Sequence, residues 1–160
     1  MSNPQLSIVI PTFKERGNVA ELLRRLDAAL AGIAWEAIFV DDNSPDGTAQ
    51  LVKQIARADG RVRCLRRVGR RGLAGACIEG MLSSAAPYVA VMDADLQHDE
   101  KVLPAMLARL AGGEADLVAA TRYVAGGSAV SFSGQRGAIS ALATRLTRRL
   151  VGTPLSDPMS

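Results

Sequence analysis

Two carboxylates two residues apart, Asp93 and Asp95, stand directly after the apolar run Tyr88-Val89-Ala90-Val91-Met92. Carboxylates that close repel one another unless positive charge lies between them. A hard divalent cation with oxygen ligands, its shell completed by nucleotide phosphates, meets that need. On an extended strand end, side chains two apart point the same way. Gln97 follows and offers a third, neutral oxygen. A second acidic pair, Asp41-Asp42, ends the apolar run Ala37-Ile38-Phe39-Val40. Alternation alone does not decide which of the two faces a ligand. His98 is the only histidine. It stands just before a segment that reads as a helix.

These groups need strands that end beside one another. Leu6 to Ile10 reads as a strand stopped by Pro11, and Val19 to Leu30 as an amphipathic helix with Leu22, Leu23, Leu26 and Leu30 at helical spacing. Ala37 to Val40 is a second strand. The turn Ser44-Pro45-Asp46-Gly47 then introduces a helix over Thr48 to Ala58, with Asp46 as a turn or cap residue. Arg61 to Leu65 alternates as a half-buried strand. Gly72 to Ser84 is a helix of small residues suited to close packing on a sheet. Tyr88 to Met92 reads as the central buried strand. Asp99 caps a helix that includes Val102 to Leu110, with Pro104 tolerated in its first turn. Leu117 to Ala120 reads as a further strand, Gly126 to Gly134 as a mobile Gly/Ser loop, and Gln135 to Leu150 as a basic helix. This rhythm implies a mostly parallel α/β sheet with helices on both faces. Such sheets bind ligands beyond the carboxyl ends of their strands. Phe13 and Glu15, just after the first strand, suit a base and a base or ribose hydroxyl respectively.

The chain has 160 residues and is 48% hydrophobic but only 4% aromatic. It suits one domain with an aliphatic core. It has no apolar run of transmembrane length and no secretory leader at its start. Cys64 and Cys77 are too few for a disulfide framework or a zinc site, and read as small buried apolar residues in a reducing cytoplasm. The net charge of +3 is an arginine excess, and Arg61, Arg63, Arg66, Arg67, Arg70 and Arg71 crowd one stretch. A solvated surface, a diphosphate or an anionic membrane face all fit that stretch. Nucleic acid fits it only weakly, because no aromatic residues are interleaved for stacking.

In order along the chain, Ile10-Pro11-Thr12-Phe13-Lys14-Glu15, Val40 to Thr48, Gly72-Leu73-Ala74-Gly75, Met92 to His98, Thr121-Arg122-Tyr123 and Ser156-Asp157-Pro158-Met159-Ser160 resemble glycosyltransferase family 2, in its polyprenol-phosphate (dolichol-phosphate) mannosyltransferase branch. The resemblance implies a Rossmann-like GT-A fold in a single catalytic domain over 1–160, incomplete at its C-terminus because the family continues past Asp-Pro-Met-Ser. It implies inverting transfer of a sugar from a GDP- or UDP-sugar to a polyprenyl phosphate at the cytoplasmic face of the membrane. By position, Pro11, Phe13, Glu15, Val40 and Asp42 would line the nucleoside pocket. Asp93, Asp95 and Gln97 would hold Mg²⁺ or Mn²⁺ against the diphosphate, with Ala94 among the donor-binding residues. Arg122 and Arg136 would face the diphosphate or the acceptor phosphate. Phe13-Lys14 departs from the family's usual Tyr-Asn and loses a phenol hydroxyl.

Two further readings stand beside this one. A phosphoacceptor signalling domain needs an acidic acceptor after the third strand, where Arg66 and Arg67 stand instead. A non-catalytic nucleotide-binding module would bind without turnover. In the Gln135 to Leu150 segment, Arg145, Arg148 and Arg149 share one helical face, and Leu142, Leu146 and Leu150 line another. That face suits an anionic leaflet.

Overall fold

The computed structural model describes residues 3–120. The chain forms two compact units, Met1–Ala115 and Asp116–Ser160, and every element named here belongs to the first. In chain order these are β1 (Leu6–Thr12), α1 (Val19–Ala29), β2 (Trp35–Asp41), α2 (Thr48–Ala58), β3 (Val62–Arg66), α3 (Leu73–Ser83), β4 (Tyr88–Val91), a 3₁₀ turn (Glu100–Val102) and α4 (Leu103–Ala111). The four strands are all parallel, in the order β3-β2-β1-β4.

The parallel sheet with helices on both faces is the architecture expected from the alternating runs. Ile8, Ile10, Ala37 and Phe39 join the larger core with Val19, Leu22 and Leu26 of α1, Val52 of α2, and Leu103 and Leu107 of α4. Val9, Ile38 and Val40, one residue out of step, face the other way and pack with Ala76 of α3. Period-two alternation therefore feeds two cores from the same strands. Each large aliphatic side chain fully buried here contributes about 1.5–3 kcal/mol. The small residues of α3 let it come close to the sheet. A Cβ on Gly80 would lie 3.0 Å from Val40 Cγ2 and would overlap Val9 Cγ1. The larger side chains of α3, Leu73, Ile78, Met81 and Leu82, are exposed instead.

Three sequence expectations are corrected. Among the described residues Tyr88 to Met92 does not hold the central position. Its strand, β4, pairs there with β1 alone, and Val89 and Val91 are exposed. The inner strands of the described sheet are β1 and β2, and all seven residues of β2 are buried. An apolar run signals burial but does not say how many neighbours its strand has. Leu117 to Ala120 is not a strand, and Leu117 is exposed. Pro11 does not stop β1, which runs on to Thr12. Val9 C=O accepts from Met92 N–H on the β4 side. Pro11, two residues on, turns its missing donor to that same side, beyond the last β4 pair, so no ladder bond is lost.

Candidate functional site

Parallel pairing puts the carboxyl ends of all four strands on one edge. After β1 the chain moves outward to β2 and β3. It then crosses α3 to reach β4 on the other side of β1, so the strand order reverses between β1 and β4. Open α/β sheets bind ligands at such a switch point. The three described non-glycine residues with positive φ all lie on this edge: Lys14 (65°) after β1, Asn43 (58°) after β2 and Leu96 (63°) after β4. Left-handed backbone costs roughly 1–2 kcal/mol for an ordinary L-residue, and such strain gathers where function fixes the loop shape.

The loops after β1 and β2 are stitched together. Three consecutive amides, those of Lys14, Glu15 and Arg16, donate to Ser44 Oγ at 3.0 Å, Thr48 Oγ1 at 3.2 Å and Asp46 Oδ2 at 3.2 Å. Asp46 is the turn and cap residue expected, since its Oδ1 accepts from the Thr48 amide and hydroxyl. Partial burial pushes the Asp46 carboxyl up, but the Thr48 hydroxyl and the Thr48 and Arg16 amides outweigh it and hold the group below the ordinary aspartate range. Phe13 is thereby presented on the edge at 41% exposure. Arg71 lies over its ring at 4.8 Å and Lys14 at 5.4 Å. Glu15 is half-buried, and its Oε2 accepts from Asn18 Nδ2 at 2.7 Å. Lys14 bears the left-handed strain where asparagine would bear less of it. Lys14→Asn is expected to raise stability by about 0.5–1 kcal/mol, read as an upward shift in melting temperature. A fall would mean that the contact of Lys14 with the Phe13 ring outweighs the backbone term.

The structure separates Asp41 from Asp42. Asp41 is wholly buried and accepts from the Ser44 amide at 2.9 Å, from the Ser44 hydroxyl, and from Thr12 Oγ1 at 3.5 Å. It pins the loop that follows it. Asp42 turns toward the loop after β3, where its Oδ1 accepts from Arg67 Nη1 at 2.5 Å and its Oδ2 from the Gly72 amide at 2.7 Å. Arg67 is only 4% exposed. It also donates to Gly72 C=O at 3.0 Å and to Glu79 Oε1 of α3 at 3.1 Å. Arg66 donates to Asn43 Oδ1 at 2.9 Å. The arginine stretch that reads as one charged surface is therefore divided, and Arg66, Arg67 and Arg71 belong to the site's wall. A cavity of about 400 Å³ opens on the far side of Arg67, between β3 and α3, and is lined also by Leu65, Glu79 and Leu82. It lies on the flank of the sheet, so we place the chemistry at the carboxyl edge, where the acidic loops meet.

Beyond β4 the chain continues the strand's alternation. Met92 and Ala94 are buried while Asp93, Asp95 and Gln97 are exposed, so both carboxylates emerge on one side. Asp95 Oδ1 accepts from the Gln97 amide at 3.0 Å, closing a turn around left-handed Leu96. His98 Nε2 stands 3.6 Å from Asp93 Oδ2. Among the described residues no cluster of three or more His, Cys, Asp and Glu side chains forms a ready metal cage. The donor set of two exposed carboxylates and one amide oxygen fits a hard cation that takes its other ligands from phosphate and water. Asp99 caps the turn before α4 through the Lys101 amide, as expected. The next residue, Glu100, is buried, and its Oε2 has no hydrogen-bond partner among the described residues.

Pro11, Phe13, Glu15, Asp42, Asp93, Asp95 and Gln97 thus share one edge. Val40 and Ala94 lie beneath it with buried side chains, so a ligand would reach them through the backbone. Arg122, Arg136, the 126–134 loop and the 135–150 helix lie outside the described residues. Cys64 and Cys77 are free and half-buried rather than buried. Burial pushes both thiols up.

The parallel sheet with acidic loops at its switch point is an α/β fold of the GT-A type. The chain belongs to glycosyl transferase family 2, whose pattern it matches over residues 7–159. It is 35% identical to a dolichol-phosphate mannosyltransferase of Pyrococcus furiosus, over 98% of this chain and 44% of that protein. Relatives of the same name from Mycosarcoma maydis (36% identical, 99% of this chain, 55% of the relative) and Saccharomyces cerevisiae (35%, 98%, 58%) are similar over the same extent. The chain spans about half the length of these curated relatives. Two solved structures share the fold. The mannosyltransferase PcManGT from Pyrobaculum calidifontis, in complex with GDP-Man and Mn²⁺, has a TM-score of 0.55 at 22% identity, over 67% of this chain and 32% of that one. S. aureus TarS in complex with UDP-GlcNAc has a TM-score of 0.57 at 21% identity, over 69% and 32%.

Proposed function

We propose that this chain carries the donor-binding part of an inverting glycosyltransferase that moves mannose from GDP-mannose to a polyprenyl phosphate. One observation carries the reading. The loops after β1, β2 and β4 deliver Glu15, Asp42 and the Asp93/Asp95 pair to a single sheet edge, in a chain similar over nearly all its length to dolichol-phosphate mannosyltransferases.

The chemistry asks for positioning more than for a base. A phosphate monoester with a second pKa of about 6 is largely a dianion at neutral pH. Its oxygen attacks the anomeric carbon from the face opposite the diphosphate. The new C–O bond forms as the old one breaks, and the nucleoside diphosphate leaves with the electron pair, so the anomeric centre inverts. Phe13 and Arg71 flank the base, while Glu15 and Asp42 accept from base or ribose. Asp93, Asp95 and Gln97 would hold Mg²⁺ or Mn²⁺, which when bound neutralises the diphosphate as a Lewis acid. Arg122 and Arg136 are assigned to the remaining phosphate oxygens, which suit guanidinium forks.

Calorimetric titration with GDP-mannose and UDP-sugars, with and without Mn²⁺, tests the donor. Tighter metal-dependent binding of the GDP-sugar is expected. Preference for a UDP-sugar would move the protein to another donor class, and binding without turnover on a polyprenyl phosphate would leave a binding module. No helix among the described residues is long and apolar enough to cross a membrane. We place the protein at the cytoplasmic membrane face through the basic side of residues 135–150. Flotation with anionic vesicles should weaken with salt and in the Arg145→Ala/Arg148→Ala/Arg149→Ala variant. Equal flotation of variant and wild type would remove that contact.

A further inference from the structure

We propose that Arg67 is the positioning residue of the nucleoside pocket, acting through Asp42 and never touching the nucleotide itself. This rests on the donor-binding reading above and names a residue that the reading does not use.

The geometry is specific. Arg67 leaves the end of β3 with its amide bonded to Asp41 C=O at 2.8 Å, continuing the ladder beside the acidic pair. Its side chain is buried, so its charge has few ways to be satisfied, and an unpaired charge there would be costly. Nη1 meets Asp42 Oδ1 at 2.5 Å and Gly72 C=O at 3.0 Å, and Nε meets Glu79 Oε1 at 3.1 Å. Glu79 is held from its other oxygen by Arg70 at 2.7 Å. The guanidinium lies against Gly75 at the start of α3, where a Cβ would come within 2.6 Å of Nη2. Gly72 has φ of 126° and gives its amide to the second Asp42 oxygen. The two glycines of Gly72-Leu73-Ala74-Gly75 thus have a joint explanation. One supplies a backbone donor to Asp42, and the other clears the space in which Arg67 reaches it.

The consequence for Asp42 is orientation. Among the described residues each oxygen takes one fixed donor, and a carboxylate oxygen has two lone pairs. Among those residues one lone pair on each oxygen is left for a base or ribose donor, in a direction that Arg67 and Gly72 set. The chain invests a buried arginine, two glycines and a helix carboxylate in the pose of one pocket side chain. Without Arg67, Asp42 would keep its charge but lose one of its two anchors.

The test uses the full chain in Mn²⁺ buffer with two probes, GDP and inorganic pyrophosphate, titrated by calorimetry. Pyrophosphate reads the Asp93/Asp95 side, and GDP reads both sides. Arg67→Met is expected to weaken GDP binding at least about tenfold, a difference of about 1.4 kcal/mol, and to leave pyrophosphate affinity within about twofold of wild type. Arg67→Lys, which keeps the charge but not the fork, should recover part of the loss. In an Asp42→Asn background the further change Arg67→Met should alter GDP affinity little, because the route through Asp42 is already cut. This double variant leaves no buried unpaired charge, so it remains informative if Arg67→Met alone folds poorly. Unchanged GDP affinity in Arg67→Met, parallel loss of both probes, or additive losses in the double variant would each overturn the inference. If wild type bound pyrophosphate with the same affinity as GDP, the donor reading would fall first. If wild type bound GDP and the variants matched it, the positioning role alone would fall.

Discussion

Asp95→Ala is expected to remove metal-dependent nucleotide binding and to lower turnover by about 10²–10³, the usual cost of losing one electrostatic group aimed at developing charge. The size follows from the chemistry proposed. In that proposal the acceptor phosphate arrives already ionised, and the barrier lies in the departure of a multiply charged diphosphate. Asp93, Asp95 and Gln97 would hold the cation that neutralises that charge, and one carboxylate with Gln97 would hold it weakly. Stability tells a different story. Asp95 is exposed, and among the described residues its one fixed bond is to the Gln97 amide. The substitution should therefore cost about 0.5 kcal/mol or less. Calorimetry against GDP with and without Mn²⁺, beside a thermal melt, separates the two effects. Wild-type affinity that ignores metal, or a variant that unfolds, would make Asp95 a structural residue. Asp93→Ala should lose binding in the same way, since the described residues give its carboxylate no ion pair but the one with His98 at 3.6 Å.

The strand-to-helix rhythm was legible because periodicity is local. Leu22 and Leu26 face the sheet at helical spacing, and Ala76 and Gly80 form the small-residue face of α3 that the composition suggested. Neighbour count is not local. Tyr88 to Val91 is apolar enough for a central position, yet the crossover through α3 sets it beside β1 alone among the described strands. The carboxylates of the site were legible as residues but not as a division of labour. Asp41 and Asp42 are adjacent and identical in type, and only the turn at left-handed Asn43 and the partners waiting on each side tell them apart. The arginine stretch left its alternatives open for a related reason. Six like charges in eleven positions do not show which are solvated, whereas in the structure Arg67 is buried and Arg71 crosses to Phe13. The available signal was positional. These residues follow a strand on the edge that the acidic loops share, and Gly69 and Gly72, with φ of 76° and 126°, mark a loop built to turn back. Ser44 and Thr48 were missed as acceptors because their donors are main-chain amides, which sequence does not distinguish.

That division of labour sets the second large effect, at Asp41 rather than Asp42. Asp41→Ala should destabilise the protein by about 2–5 kcal/mol, since a buried donor left without its acceptor costs about 1–3 kcal/mol and the Ser44 amide and hydroxyl are both abandoned. The damage does not stop at the cavity. Ser44 Oγ is also the acceptor for the Lys14 amide, so the clamp between the loops after β1 and β2 loosens, and Glu15 and Asp42 lose their register together. Asp41→Asn tests the cause more finely than alanine does. An asparagine of the same shape keeps one acceptor oxygen but presents an amide to the other contact. It can take the Ser44 amide or the Ser44 hydroxyl in the present geometry, not both on separate oxygens. Roughly half the loss is therefore expected from it, read as the shift in urea midpoint at constant slope. Asp42→Asn should couple the two effects, a marked loss of GDP affinity with a shift in midpoint from the weakened ion pair to buried Arg67. If Asp41→Asn were as stable as wild type while GDP binding vanished, the roles of the two carboxylates would have to be exchanged.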